Sequence, residues 1–142
     1  MDWLRGFYRG LNTLARRHGV VVAGGDLSEA EKLVCDIVVL GAVKRGRALR
    51  RSGAKPGDRL YVTGLLGGSA LGLETRKGRA WKRHLRPEPR IEAGRELAAR
   101  CGATACMDLS DGLALDLFRM CTESRCAAEL HGGCLLYTSR CV

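Results

Sequence analysis

Short apolar segments alternate along this chain with stretches whose apolar residues recur at helical spacing. The apolar segments are four to eleven residues long and are residues 20–23, 33–43, 60–63, 103–107 and 127–130. Runs of this length, the longest of them rich in β-branched residues, are typical of buried strands. The helical stretches begin near Leu4, Arg90 and Leu113, and the polar segment 75–83 is expected to be a connection. Strands that alternate with helices predict an α/β fold.

The overall composition limits the class of protein. The 142 residues are 46% hydrophobic but only 5% aromatic, which allows a core of Val, Leu, Ala and Ile. No window reaches the roughly 18 apolar residues that a membrane span requires. The first residues lack the basic lead and apolar segment of a secretory signal. We therefore expect a cytoplasmic protein with no membrane partner.

The cysteines and histidines show no metal-binding or disulfide pattern. There is no C-x-x-C pair, and the three histidines are scattered. Free, buried thiols in a reducing compartment are the favoured interpretation. His84 is expected to be a hydrogen-bonded structural residue rather than a ligand. The cysteines are Cys35, Cys101, Cys106, Cys121, Cys126, Cys134 and Cys141.

The net charge of +9 is concentrated in one segment. Six of the positive charges lie between Lys44 and Lys55, with no acidic residue among them. Such a cluster can bind polyphosphate or nucleic acid, or it can be a solvated loop. It contains no aromatic residues on which bases stack, so we expect no nucleic-acid partner.

The acidic turn Asp108-Leu109-Ser110-Asp111-Gly112 lies between the apolar segment 103–107 and a helix that starts near Leu113. Carboxylate, hydroxyl and phosphate oxygens are the ligands that Mg²⁺ prefers, and a helix N-terminus favours anionic groups. The alternative is that Ser or Asp merely caps the helix. A second turn, rich in glycine around Ser69, either approaches a phosphate or lets a helix and a strand pack closely.

Five motifs in a fixed order resemble those of the thiamine-monophosphate kinases, in the superfamily of aminoimidazole ribonucleotide synthetase. They are Gly24-Gly25-Asp26 and residues 46–58, 60–64, 84–87 and 108–112. The resemblance runs from about Phe7 to Leu130. It implies a two-domain α/β (α+β) architecture of the PurM-like type.

The resemblance also implies how the chain is divided. Residues 1–49 would be the C-terminal half of the N-terminal ATP- and metal-binding domain, and residues 50–132 the first part of the C-terminal domain. Residues 133–142 are expected to be a non-native tail, because Cys134 to Ser139 is similar to the translation of a transposon end used in sequencing libraries. We expect such a fragment to be inactive by itself.

The function that the resemblance implies is ATP-dependent phosphorylation of thiamine monophosphate to thiamine diphosphate. The cofactor would be Mg²⁺, ATP the co-substrate, and the full-length protein a homodimer. No separate catalytic base is expected, because the acceptor phosphate is already ionised near neutral pH. The nucleotide-binding residues would be Tyr8, Gly25, Asp26, Arg51 and Ser110, and the metal ligands Asp26, Asp108 and Asp111.

Two departures from the family pattern and two alternatives remain open. Leu27-Ser28 replaces the usual threonines after Gly-Gly-Asp, and Gly68 replaces an aspartate. The first alternative is another ATP-using PurM-like enzyme, of the aminoimidazole ribonucleotide synthetase or selenophosphate synthetase type. The second is a non-catalytic protein: either a basic module that binds phosphate or nucleic acid, or a scaffold in which the acidic turn is only a helix cap.

Overall fold

A computed structural model describes residues 2–131 of the chain. The described residues contain five helices: α1 (Asp2–Arg17), α2 (Gly68–Thr75), α3 (Gly78–Leu85), α4 (Ile91–Ala99) and α5 (Leu113–Ser124). The chain divides into two compact units, Met1–Leu40 and Gly41–Val142, which are described separately below. The predicted tail, residues 133–142, lies outside the described residues.

The first unit is built on α1, which confirms the predicted N-terminal helix. Leu4, Phe7 and Leu11 are half-buried on one face, as their helical spacing predicts. The rings of Trp3 and Phe7 stack with their centroids 5.5 Å apart. The chain leaves the helix at Gly19, whose φ of 65° lies in the left-handed region that glycine adopts readily.

Helices α4 and α5 of the second unit confirm the predictions for these segments. In α4, Ile91, Gly94 and Leu97 form the expected half-buried face. Helix α5 begins at Leu113, as predicted. The helical spacing of Leu113, Leu117 and Cys121 predicts a buried side that also includes Phe118; this is wrong for Phe118, which is 66% exposed.

Helix α3 corrects the prediction that segment 75–83 is a connection, and α2 corrects the expectation of a turn around Ser69. Each has only eight residues, too short to be stable alone. They are held by contact with each other, since the buried Gly72 of α2 lies against the backbone of Ala80 in α3. A methyl group on Gly72 would clash with the Ala80 carbonyl oxygen.

The five predicted strands do not form within residues 2–131, where the structure contains no strand. A strand exists only when its backbone pairs with another strand, and these segments find no such partner among the described residues. The longest remains open to solvent, with Val38 83% and Leu40 91% exposed. The expected aliphatic core is also wrong for the described residues, because none of their hydrophobic side chains is fully buried.

The described cysteines are free, as predicted, but they are not all buried. Cys35 and Cys101 are exposed, and Cys106, Cys121 and Cys126 are half-buried. Burial, together with the neighbouring Cys126, raises the pKa of the Cys121 thiol, which keeps it protonated. Cys134 and Cys141 lie outside the described residues. Among the helices of residues 2–131, none has the length and apolar character to cross a bilayer.

Candidate functional site

The loop that carries the motif of residues 51–58 is fixed to the end of α5. The Ser124 hydroxyl accepts hydrogen bonds from the backbone N–H groups of Gly53 and Ala54, both at 3.1 Å. The same hydroxyl donates to the Arg51 carbonyl oxygen at 2.8 Å. One side chain therefore closes the loop on three backbone groups that would otherwise lack partners.

The other side of this loop lies against the segment that precedes the acidic turn. The Cys106 N–H donates to the Arg50 carbonyl at 2.9 Å, and Gly53 touches the backbone of Thr104 so closely that a side chain would not fit. The Thr104 hydroxyl donates to Asp58 at 2.6 Å, and the Lys55 N–H donates to the same carboxylate oxygen at 2.8 Å. These bonds, that of Thr104 foremost, lower the pKa of Asp58 below its usual value.

The acidic turn is shaped by Asp116, the fourth residue of α5. One of its carboxylate oxygens accepts the N–H groups of Ser110 and Asp111 at 2.9 Å and of Gly112 at 3.2 Å. The side chain is 0% exposed. The carboxylate thus satisfies three donors at the helix N-terminus, where a negative charge is also favoured by the helix dipole.

Arg119 connects Asp116 to the turn itself. Its guanidinium donates to Asp116 at 2.9 Å and also bonds to the Asp111 carboxylate. Burial is the largest influence on Asp116 and opposes its ionisation. The N–H groups of Asp111 and Ser110 and the Arg119 charge together outweigh burial and lower the pKa of Asp116. The same carboxylates, Asp111 foremost, raise the pKa of Arg119.

The helix-cap alternative for the acidic turn is wrong. The N-cap residue of α5 is Gly112, with φ 109°, and no side chain forms a capping hydrogen bond there. Ser110 and Asp111 therefore do not have the role that the cap hypothesis assigns to them. Asp116 instead reaches back to the N–H of the N-cap Gly112, in the manner of the acidic residue in a capping box, and to the N–H groups of the two residues before it.

The structure brings Arg51 to the acidic turn. Its Nη2 lies 3.9 Å from Asp108 Oδ1, and the two side chains are 55% and 74% exposed. Four of the predicted site residues, Arg51, Asp108, Ser110 and Asp111, thus lie on one solvent-open surface of the second unit. The Arg51 guanidinium beside the Asp108 carboxylate offers both charges that a nucleotide–metal complex requires.

The remaining predicted residues lie in the first unit. The Tyr8 hydroxyl is 3.7 Å from the point where a Cβ on Gly25 would stand, so α1 places this tyrosine against the Gly-Gly-Asp motif. Asp26 Oδ1 accepts the N–H of Leu27 at 2.8 Å. Within this unit, Tyr8, Gly25 and Asp26 therefore form a second local group of predicted site residues.

Residues 2–131 contain no group of three or more Asp, Glu, His or Cys side chains arranged to hold a metal ion. Mg²⁺ usually takes only one or two carboxylates from a protein and completes its shell with waters and substrate phosphates. Asp108 and Asp111 satisfy that smaller requirement, since both belong to one turn and their side chains are 74% and 47% exposed.

Three residues of this site were not predicted from the sequence. Asp116 and Arg119 have a weak signal, because an acid in the first turn followed three residues later by a base is a favourable helical pair. Ser124 has none, since its partners are about 70 residues away. The structural role expected for His84 is confirmed: its Nδ1 is 2.7 Å from the Ser69 hydroxyl, and its ring stacks on Trp81.

Comparison with known families defines the class of protein. The chain belongs to the family described as AIR synthase related protein, C-terminal domain. The family model matches residues 55–133, and the family has the PurM-like fold. No solved structure matches the chain significantly.

Curated relatives are named thiamine-monophosphate kinase. That of Methanospirillum hungatei is 43% identical over 116 residues, covering 82% of this chain and 40% of the relative. That of Rhodopirellula baltica is 44% identical over 124 residues, covering 87% of this chain and 35% of the relative. That of Bacillus subtilis is 38% identical over 140 residues, covering 89% of this chain and 43% of the relative. The chain thus spans well under half the length of the relatives it matches.

Proposed function

We propose that this chain is part of an enzyme that transfers the terminal phosphoryl group of ATP to thiamine monophosphate, forming thiamine diphosphate. The observation that carries the proposal is the 3.9 Å approach of Arg51 to Asp108. It joins the 51–58 motif to the acidic turn, two sequence features 57 residues apart in a chain similar to thiamine-monophosphate kinases.

Mg²⁺ is the metal that this donor set fits. Asp108 and Asp111 would hold it, and the Ser110 hydroxyl would meet the nucleotide. Asp26 is proposed as a metal ligand on the separate ground of its Gly-Gly-Asp motif. When bound, the ion neutralises charge on the phosphate oxygens. Support comes from the exposure of both carboxylates of the turn and from the hydrogen bonds of Asp116, which fix the turn before any ligand arrives.

The other proposed roles follow from charge. Arg51 would bind a nucleotide phosphate, and Tyr8 and Gly25 would contact the nucleotide. The acceptor is a phosphate monoester, largely ionised near neutral pH, so its oxygen can attack without a protein base. The protein's contribution would then be positioning and electrostatic stabilisation rather than proton transfer.

We also propose the finer architecture expected from the sequence: two α/β domains divided near residues 49 and 50, in a cytoplasmic homodimer. The exposed apolar segments 20–23 and 33–43 support it, because such segments are stable as strands only when other strands cover them. Relatives more than twice as long have enough additional chain to supply those strands.

A chimera tests the proposed activity. Residues 7–130 of this chain would replace the matching segment of the Methanospirillum hungatei thiamine-monophosphate kinase, and thiamine diphosphate would be measured by chromatography. We expect activity in the chimera and its loss, by at least about 100-fold, in the Asp111→Asn chimera. Glu123→Gln, which removes a carboxyl from the far end of α5, is the matched control and should retain activity.

Two outcomes would contradict the proposal. One is a chimera that is folded, with a melting temperature near that of the parent kinase, yet makes no thiamine diphosphate. The other is full activity in the Asp111→Asn chimera. If the chimera instead consumes ATP with aminoimidazole ribonucleotide precursors or selenide, the alternative PurM-like activities are favoured. Salt-sensitive DNA binding without an effect of Mg²⁺ and ATP would favour the non-catalytic module.

A further inference from the structure

Two arginines outside the site described above converge on one glycine. A methyl group built on Gly64 would lie 3.2 Å from Nη2 of Arg83 and 3.3 Å from Nη2 of Arg90. Because both nitrogens lie this near to one point, the distance between them is at most about 6.5 Å. Gly64 has φ 109°, a conformation that other residues rarely adopt, so this position needs glycine for its backbone as well as for the space.

The Nη2 atoms of the two guanidiniums lie near the same point without a compensating ion pair among the described residues. Neither forms an ion pair with the described residues, whose ion-paired arginines are Arg51, Arg95, Arg100 and Arg119. From residue 76 to residue 90 the chain carries seven Lys or Arg side chains and one acid, Glu88. Like charges held this close repel each other unless an anion lies between them.

The position of Arg90 is unfavourable for its own helix. It is the N-cap residue of α4 and forms no capping hydrogen bond. Ser, Thr, Asp or Asn is preferred there, and a positive charge at a helix N-terminus is destabilising. Arg83, by contrast, lies in the last turn of α3, where a cation is favoured. A residue that opposes local preference without a visible structural gain is typical of a functional site.

The surrounding backbone is held in place. The Ser69 hydroxyl of α2 lies 2.7 Å from Nδ1 of His84, the residue after Arg83, and this contact ties the end of α3 to the start of α2. Gly72 fixes the same two helices against each other at Ala80. The glycine-rich turn from Gly64 to Gly68 leads directly into α2, which has no side-chain cap and no acidic residue in its first turn.

We propose that Gly64, Arg83 and Arg90 form a binding site for a phosphate group. Charge-assisted hydrogen bonds from a guanidinium to an oxyanion are about 2.8 Å long, so one tetrahedral phosphate between the two Nη2 atoms can accept from both. All three residues are solvent-exposed, which leaves the site accessible. The site goes beyond the proposed kinase activity, because it uses none of the residues assigned to nucleotide or metal there.

Inorganic phosphate is the probe for the test, measured by isothermal titration calorimetry on the whole 142-residue chain. We expect saturable binding that weakens about 10-fold or more in Arg83→Gln and in Arg90→Gln. Arg79→Gln on α3 and Arg95→Gln on α4 remove the same charge elsewhere and should change binding by less than about twofold. Arg83→Lys keeps the charge but loses the planar fork, so its affinity should be intermediate. Circular dichroism checks that each variant keeps its helices.

Competition identifies the source of the phosphate. Displacement by ATP assigns the site to the nucleotide, displacement by thiamine monophosphate assigns it to the acceptor, and displacement by neither assigns it to free phosphate. The proposal is overturned if the chain shows no saturable binding, or if the two control variants weaken binding as much as Arg83→Gln and Arg90→Gln. Phosphate binding that depends on Arg83 and Arg90, alongside an inactive chimera, would reject the kinase activity and leave this site standing.

Discussion

The Ser124 hydroxyl at the end of α5 accepts a hydrogen bond from the Gly53 N–H at 3.1 Å, across 71 residues of sequence. The contact places the loop that carries Arg51 beside the helix that follows the acidic turn. Two motifs that are remote in the chain therefore share one local framework, and the orientation of Arg51 toward Asp108 depends on it.

Ser124→Ala should destabilise the second unit by about 2 kcal/mol, because the N–H groups of Gly53 and Ala54 and the Arg51 carbonyl lose their partner. Urea unfolding followed by circular dichroism measures the change. Thr122→Ala removes a hydroxyl from the same helix that bonds only to the Phe118 carbonyl one turn earlier, and it should shift stability by less than about 0.5 kcal/mol. Equal effects of the two variants would show that the contact with the loop contributes nothing.

Gly72→Ala and Gly94→Ala should change the free energy of unfolding in opposite directions. A methyl group at Gly72 would meet the Ala80 carbonyl, so this variant should lose about 1–3 kcal/mol and weaken the contact of α2 with α3. Gly94 lies inside α4 with no atom within 4 Å of its Cβ position, so Ala should gain about 0.5–1 kcal/mol from helix propensity. Thermal unfolding compares the two, and a stabilising Gly72→Ala would contradict the packing described here.

Asp116→Ala should disorder the acidic turn, because it leaves the N–H groups of Ser110, Asp111 and Gly112 without their acceptor. We expect a melting temperature lower by several degrees and, in the kinase chimera, loss of activity as well as stability. Amide hydrogen exchange of residues 110–112 should be faster in the variant. Asp116→Asn keeps an oxygen acceptor and should show a smaller loss; unchanged exchange in both variants would exclude this role.

Asp58 should make stability fall at acid pH. Its pKa is lowered in the folded chain by the Thr104 hydroxyl and the Lys55 N–H. A lowered pKa contributes stability above the unfolded value, about 3.9, and this contribution disappears as the pH falls through the lower folded value. Asp58→Asn should therefore flatten the decline below about pH 4, measured as urea midpoint against pH. Glu88→Gln is the control and should leave the slope unchanged.

The long helices could be predicted because their signals are local. Leu4, Phe7 and Leu11 repeat at helical spacing in α1, and Leu113 follows a glycine at the start of α5. Helices α2 and α3 could not be predicted, because each is too short to be stable alone and is held by its neighbour at Gly72 and Ala80. The apolar segments show the opposite limit: their composition favours strands, but a strand also needs a pairing partner, and the described residues supply none.

The candidate site could be predicted where the proposed ligands stand side by side in one motif. Asp108, Ser110 and Asp111 stand together in the sequence, and so do Gly25 and Asp26. The residues that hold those motifs in position were not predictable. Ser124 acts on a loop about 70 residues away, and the convergence of Arg83 and Arg90 on Gly64 arises only when a turn and two helices have packed.

Arg119 donates to Asp111 and Asp116 from a single nitrogen. This shared cation offsets the mutual repulsion of two neighbouring acids and links the acidic turn to the first turn of α5. An incoming divalent ion at Asp111 would meet a carboxylate already oriented, and the arginine would retain Asp116 as its second anchor. The entropic cost of ordering the loop thus falls on folding rather than on binding, so a ligand that contacts the loop would bind more tightly.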